Sequence, residues 1–318
     1  MKTVGFVVVV LSLSIGVLGD AHGAESMRFE ETSGRYLDLL WEGEPLLRFM
    51  YEYDPSTSQR RFETYKPFLH VYDGTQRLTN GPDGQSEYVS DRIRYPHHRG
   101  IFIGWNRLRF EGKRYDLWHM RDVAQVHQRF EEMAAEADTA RCVEVVHWND
   151  PAGETILVEK RSITAQPLAA PAIVLVDFQT ELQAVRGDVE LNGDPEHAGA
   201  QYRAHNDVAA GPVEVKAKYL FHKDGIDPRK DKDLPWVAMT YGLGGKYYTV
   251  QHMNHPDNPR GTVYSAYRDY GRFGAFFVHK IEEGRTLKLR YRFVVSRGDA
   301  PSREDLAARH TEFVNRGK

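Results

Sequence analysis

The chain has 318 residues, a formal net charge of -3 and one cysteine. Near-balanced charge argues against nucleic acid as a partner, because phosphate binding wants a clear basic excess. The length suits one large β domain or two ordinary ones, with a core that needs no covalent staples.

Residues 1–23 read as an export signal. Lys2 gives the positive start, Val4 to Leu18 the apolar stretch, and Gly19, Ala21, Gly23 and Ala24 small residues for cleavage. No second apolar run of spanning length follows, so the mature chain is expected to lack a membrane span. That places it in the periplasm or outside the cell, with residues 24–318 as a single β-sandwich domain. Cys142 stands alone in a strand-like run, so it forms no internal disulfide and reads as a packing residue.

In chain order, the first dense polar cluster is His97-His98-Arg99, directly before the apolar run Ile101 to Trp105. Histidine can move a proton near neutral pH or bind a metal, and arginine grips an oxyanion in two-pronged fashion. On a strand His97 and His98 would face opposite ways, so only one of them is expected to face inward. Phe130 to Ala140 is rich in alanine and glutamate and reads as a helix or a loop. Thr155 to Ser162 and Val174 to Leu182 alternate with period two, as strands do. Glu196 and His197 precede Gln201, Arg203 and His205, which would share one face of a strand. Val213 to Phe221 alternates again.

His252 to Arg260 is a loop stiffened by Pro256 and Pro259 and crowded with polar groups, among them His255 and Asn258. Tyr264 to Gly271 sets aromatic rings beside Arg268 and Asp269, a mixture that suits a sugar. Thr286 to Val295 is the clearest strand. Ser302 then caps a helix near residues 302–315, with Leu306, His310 and Phe313 on one face.

These elements predict an all-β fold: a large antiparallel β-sandwich, mutarotase-like or jelly-roll-like, with a C-terminal helix. The expected catalytic groups are His97, His98, His205 and His255. Arg99, Trp105, Glu196, His197, Arg203, Asn258, Arg268 and Asp269 are expected to bind substrate. His98, Arg99, Arg203, His205, His255 and Arg268 are expected to meet in one concave pocket. The chain lacks the G-x-S-x-G elbow, the P-loop, G-x-G-x-x-G and H-E-x-x-H, which weighs against serine hydrolases, nucleotide enzymes and zincins. The reading that follows is a carbohydrate-active lyase, hydrolase or epimerase. It would act on a small-molecule or oligosaccharide substrate by histidine acid–base chemistry and need no cofactor. One alternative is a carbohydrate-binding protein without catalysis. Another is a metal-dependent enzyme that uses His97 or His98 with His205 and His255 to hold a divalent ion.

As a set, His97-His98-Arg99-Gly100, Glu196-His197 with Arg203, His255-Pro256-Asp257-Asn258-Pro259-Arg260 and Arg268-Asp269-Tyr270-Gly271 resemble an exported bacterial family. That family carries the label "methane oxygenase PmoA" and is also described as a domain of unknown function. The resemblance implies an exported β-sandwich protein often found among carbohydrate-degrading systems. Methane-oxidising membrane subunits are multi-span helical proteins, whereas these residues alternate as strands.

Overall fold

The computed structural model describes residues 26–316; the stretch expected to be an export signal lies outside the described residues. Every strand pairing is antiparallel, and three sheets form. The largest has nine strands. Its path runs Met27–Thr32, Tyr36–Trp41, Glu44–Met50, Phe68–Asp73, Ile101–Trp105, Ala198–Arg203, Arg272–Phe276, Val263–Tyr264, with Gln76–Arg77 paired to Phe68–Asp73. The second sheet has eight strands, in the order Lys218–Phe221, Trp236–Leu243, Lys246–Asn254, Thr286–Arg297, Ala172–Ala184, Thr155–Pro167, Ala140–Asn149, Ala124–Ala135. A small third sheet joins His279–Ile281, Val189–Leu191, Leu108–Phe110 and Lys113–Tyr115. The expected antiparallel sandwich is the observed architecture. Among the described residues no helix is long and apolar enough to cross a membrane.

Alternation explains how the two large sheets pack. In Ile101–Trp105, Ile101, Ile103 and Trp105 enter the main core, together with Ala198, Ala200 and Tyr202 of the next strand. Cys142 is buried in the same core. Phe102 points the other way and joins Tyr36, Met50, Phe68 and Trp118 in a separate cluster on the outer face of the nine-stranded sheet. The eight-stranded sheet has its own outer cluster of Leu175, Trp236, Ala238, Met253 and Val294. It is covered by Leu306 and Phe313 of a C-terminal helix, Arg303–Asn315, which is capped by Ser302 as expected. The two outer clusters therefore lie on opposite sides of the sandwich.

Two expected elements differ. Phe130 to Ala140 is neither helix nor loop: Ala124–Ala135 is an edge strand, turning at residues 136–139 into Ala140–Asn149 with Ala135 opposite Ala140. Cross-strand pairing overrides the helical leaning of its alanines and glutamates, and the charges suit an exposed edge. Val213 to Phe221 begins as a 3-10 turn, Val213–Val215, after Pro212, and only Lys218–Phe221 is strand. Val213 is 73% exposed, so its alternation had no core to face.

Candidate metal centre

Three imidazoles meet at one edge of the outer face of the nine-stranded sheet, each delivered by a turn. His97 belongs to the turn Tyr95 to His98, closed by the His98 N–H donating to the Tyr95 carbonyl at 3.0 Å. Tyr95 holds a φ of 56°, a left-handed conformation that non-glycine residues adopt rarely and at a cost. Gly100 then returns the chain to the sheet with a φ of 31°; a Cβ there would stand 1.8 Å from the Leu69 carbonyl oxygen. This segment is thus a turn, not the expected strand, which is why His97 and His98 do not diverge. Their ring centroids are 4.2 Å apart, with His98 buried and His97 half-buried.

His119 and His197 are held by one device used twice. Asp116 Oδ1 accepts the backbone N–H groups of Trp118 and His119 at 3.2 and 2.9 Å, and Asp116 Oδ2 lies 2.9 Å from His119 Nδ1. Asp194 Oδ1 accepts the Glu196 N–H at 3.2 Å and lies 2.8 Å from His197 Nδ1, while Asn106 donates to Asp194 Oδ2 at 2.8 Å. Each aspartate shapes a turn and orients the imidazole three residues later. Burial raises both carboxyls, but the bonds from His119 and its backbone hold Asp116 below the usual range. Those from His197 and Asn106 hold Asp194 well below it.

One ring nitrogen from each of His97, His119 and His197 lies within 4.8 Å of the others. With Nδ1 engaged by a carboxylate, His119 and His197 are left with Nε2 and its lone pair, the arrangement seen around metal-bound imidazoles. His97 Nε2 is buried without a partner. Burial, then the neighbouring His119 and Lys66, push His97 down to about 2, so its ring is a neutral donor across the physiological range. An ion about 2.0–2.1 Å from each nitrogen would complete three ligands and leave a fourth position open, the arrangement of catalytic rather than structural zinc sites.

Around the three rings stand aromatic and charged groups. His98 lies beside Tyr95 and Tyr270, with centroids at 5.6 and 6.0 Å, the two tyrosines being 4.5 Å apart, and neither of its nitrogens has a partner. Tyr95 is 46% exposed. Glu196 accepts from Arg268 at 2.8 and 3.0 Å on the rim. Buried Arg272 donates two N–H groups to the Tyr270 hydroxyl at 3.0 and 3.1 Å and others to Gln201 and Ser265. Arg107 and Arg121 lie 3.4 and 3.9 Å from the carboxylates of Asp194 and Asp116.

Of the expected site residues, His97, His98, Glu196, His197 and Arg268 come together here, and His197 is a candidate ligand rather than a substrate contact. Arg99 and Arg203 are buried beside the cluster and grip backbone carbonyls. The others separate. His255 packs on Phe313 under the C-terminal helix, on the far side of the sandwich from His98, so the single expected pocket does not exist. Asn258 clasps the backbone of Arg290. His205 lies two residues beyond the strand and caps a short helix, Asn206–Ala210, instead of sharing a face with Arg203. Trp105 is core, its Nε1 donating to the Phe277 carbonyl at 3.2 Å. Asp269 is exposed, and its carbonyl is what is engaged, by the Ala217 N–H. A ligand set of His205 and His255 with His97 or His98 is therefore replaced by His97, His119 and His197. His119, Asp116 and Asp194 were missed, although the sequence carries a signal for all three. D-x-x-H occurs at Asp116-Leu117-Trp118-His119 and again at Asp194-Pro195-Glu196-His197.

The sequence model of one family matches residues 36–311, and its description is a family of unknown function. The chain belongs to that family, DUF6807. Nothing in the match supports the methane-oxygenase label. No curated protein matches the chain. Among solved structures, it is similar to heparan sulfate lyase HepC from Pedobacter heparinus, at 10% identity and a TM-score of 0.36, over 85% of this chain and 36% of that one. It is also similar to a GalM/aldose epimerase homologue from C. elegans, at 9% identity and a TM-score of 0.36, over 87% of this chain and all of that one. The chain thus spans little more than a third of the lyase. Neither similarity transfers an activity or a substrate.

Proposed function

We propose that this DUF6807 chain is an exported, metal-dependent enzyme acting on carbohydrate, with His97, His119 and His197 as the ligands of one divalent transition ion. The observation that carries the reading is the pairing of Asp116 with His119 and Asp194 with His197, each at Nδ1. A carboxylate at Nδ1, which His127 also has from Glu144, fixes a tautomer; here the two fixed rings also converge with His97, as ligands of one ion would. A bound ion would polarise a substrate oxygen or make bound water a nucleophile. His98, with two free nitrogens beside the trio, is the group placed to move a proton. The exposed ring of Tyr95 and the Glu196–Arg268 pair supply the flat face and the hydroxyl-bonding groups that a sugar needs.

The test is metal binding by the chelator-stripped protein. Cobalt(II) or zinc is expected to bind at one equivalent per chain, with a tetrahedral cobalt spectrum, and His119→Ala and His197→Ala are expected to lose it. Folded protein that takes up no ion at one equivalent sinks the reading. The metal-loaded protein is then screened on oligosaccharides by product mass. Gain of water marks hydrolysis, an unsaturated product elimination, and unchanged mass isomerisation.

A further inference from the structure

The charges around the trio do not balance. Lys66, Arg99, Arg203 and Arg272 are all buried on this side of the sheet; burial and then Arg99 push the Lys66 amine well below its ordinary value, so the three arginines carry the standing charge. Arg272 and Arg203 act electrostatically on His98, and Arg99 on His97. Arg272 alone of the four nears a carboxylate, with Nη2 3.9 Å from Glu196. Lys66 donates to the Trp118 carbonyl at 2.8 Å. Arg99 donates to the carbonyls of Phe62 and Glu63, the latter at 2.8 Å, and more weakly to that of Pro96. Arg203 donates to the carbonyls of Tyr270 and Arg94, and its Nε is buried without a partner. The carboxylates that adjoin the trio, Glu196, Asp116 and Asp194, each already face a rim arginine.

Burying a cation against neutral carbonyls is costly, because the lost hydration is only partly replaced. A fold that retains Arg99, Arg203 and Arg272 beside the trio holds a positive field there in a low-dielectric setting. A neutral sugar draws nothing from that field. An oxyanion does.

We infer that the substrate is an acidic saccharide, one whose sugar ring carries an oxyanion group that is held against the three-histidine set. This rests on the reading of the site as a metal-dependent carbohydrate enzyme. The oxyanion is a carboxylate in a uronate and a sulfate in a sulfated sugar, and both exploit the same field.

The experiment compares three ligands on cobalt-loaded protein by calorimetry: a glucuronate or galacturonate disaccharide, a 6-sulfated sugar, and the neutral counterpart. The uronate or the sulfated sugar is expected to bind at least about 10-fold more tightly than the neutral ligand, and whichever is tighter names the anion. Glu196→Gln, which removes a rim negative charge, is expected to raise the acidic-over-neutral preference several-fold. Arg268→Ala at the exposed rim is expected to weaken it. Stoichiometric cobalt uptake with equal binding of acidic and neutral sugars, or with no sugar binding, overturns the inference while the metal reading stands. If cobalt is not taken up, the same comparison on the protein as purified decides the inference alone: a retained acidic preference supports it, and no preference overturns it.

Discussion

Two aspartates, Asp116 and Asp194, decide what the three imidazoles can do. Each fixes a tautomer and aims a lone pair, and loss of such an outer partner commonly costs 10–100-fold in metal affinity. Asp194→Asn keeps the turn-capping oxygen but loses the charge, so zinc or cobalt affinity should fall within that range with an unchanged melting temperature. A drop in affinity below twofold would remove Asp194 from this role. His252 is the contrasting histidine. It is buried between the large sheets, stacked on Phe293 at 4.4 Å, with neither nitrogen partnered. Burial pushes its pKa down to about 3, against roughly 6.5 in the unfolded chain. The unfolded chain therefore takes up a proton that the folded one refuses. The stability contributed by neutral His252 is present in full above pH 6.5 and is lost as pH falls from there toward 3. His252→Phe keeps the ring and removes the proton site, so urea midpoints at pH 7 and pH 4.5 should lie closer together than in wild type. An unchanged gap would refute this. A single histidine in sequence cannot be sorted into these two kinds, because the sorting depends on what lies within about 3 Å of each nitrogen.

At the scale of elements, the turns carry the site and the strands only present it. The strands Thr155–Pro167, Ala172–Ala184 and Thr286–Arg297 were legible because period-two alternation survives in each. The C-terminal helix was legible through Ser302 and the spacing of Leu306 and Phe313. The turn that holds His97 was not, since a strand reading sends adjacent side chains apart. The loop at His255, rich in polar groups, turns out to serve that helix: His255 meets the Phe313 ring at 5.2 Å. Phe313→Ala should therefore cost about 3–5 kcal/mol of stability, as for other buried phenylalanines, and leave metal uptake untouched. Coupled loss of metal binding in still-folded protein would mean that the two faces communicate, contrary to this layout.

For the whole molecule, the interior of the sandwich is closed by a buried ionic network as well as by apolar side chains. Glu159 accepts from Arg161 Nε and Nη2 at 2.9 Å, from Thr180 at 2.9 Å and from Trp148 Nε1 at 2.8 Å, and both charged groups are almost fully buried. Arg161 also reaches across to the Pro67 carbonyl at 3.5 Å, beside the first residues of a strand in the opposite sheet. Removing one partner of a buried pair leaves the other uncompensated, at a cost of about 3–5 kcal/mol. Glu159→Gln should lower stability by about that amount in a denaturant titration. A loss under 1 kcal/mol would show that Glu144, 3.8 Å from Arg161 Nη1, carries the charge instead.

Local pattern by itself determined the class of this protein: alternation gave antiparallel strands, the capped heptad-like spacing gave the last helix, and clustered histidines and arginines marked where chemistry could reside. Those properties are set by neighbours along the chain, which a sequence displays directly. Only the tertiary structure decided which clusters meet. It joined His97, His119 and His197 across a hundred residues and sent His255 to the other face, because a strand's outer and inner sides differ by one residue of register while the choice of which sheet face is roofed depends on contacts far apart in sequence.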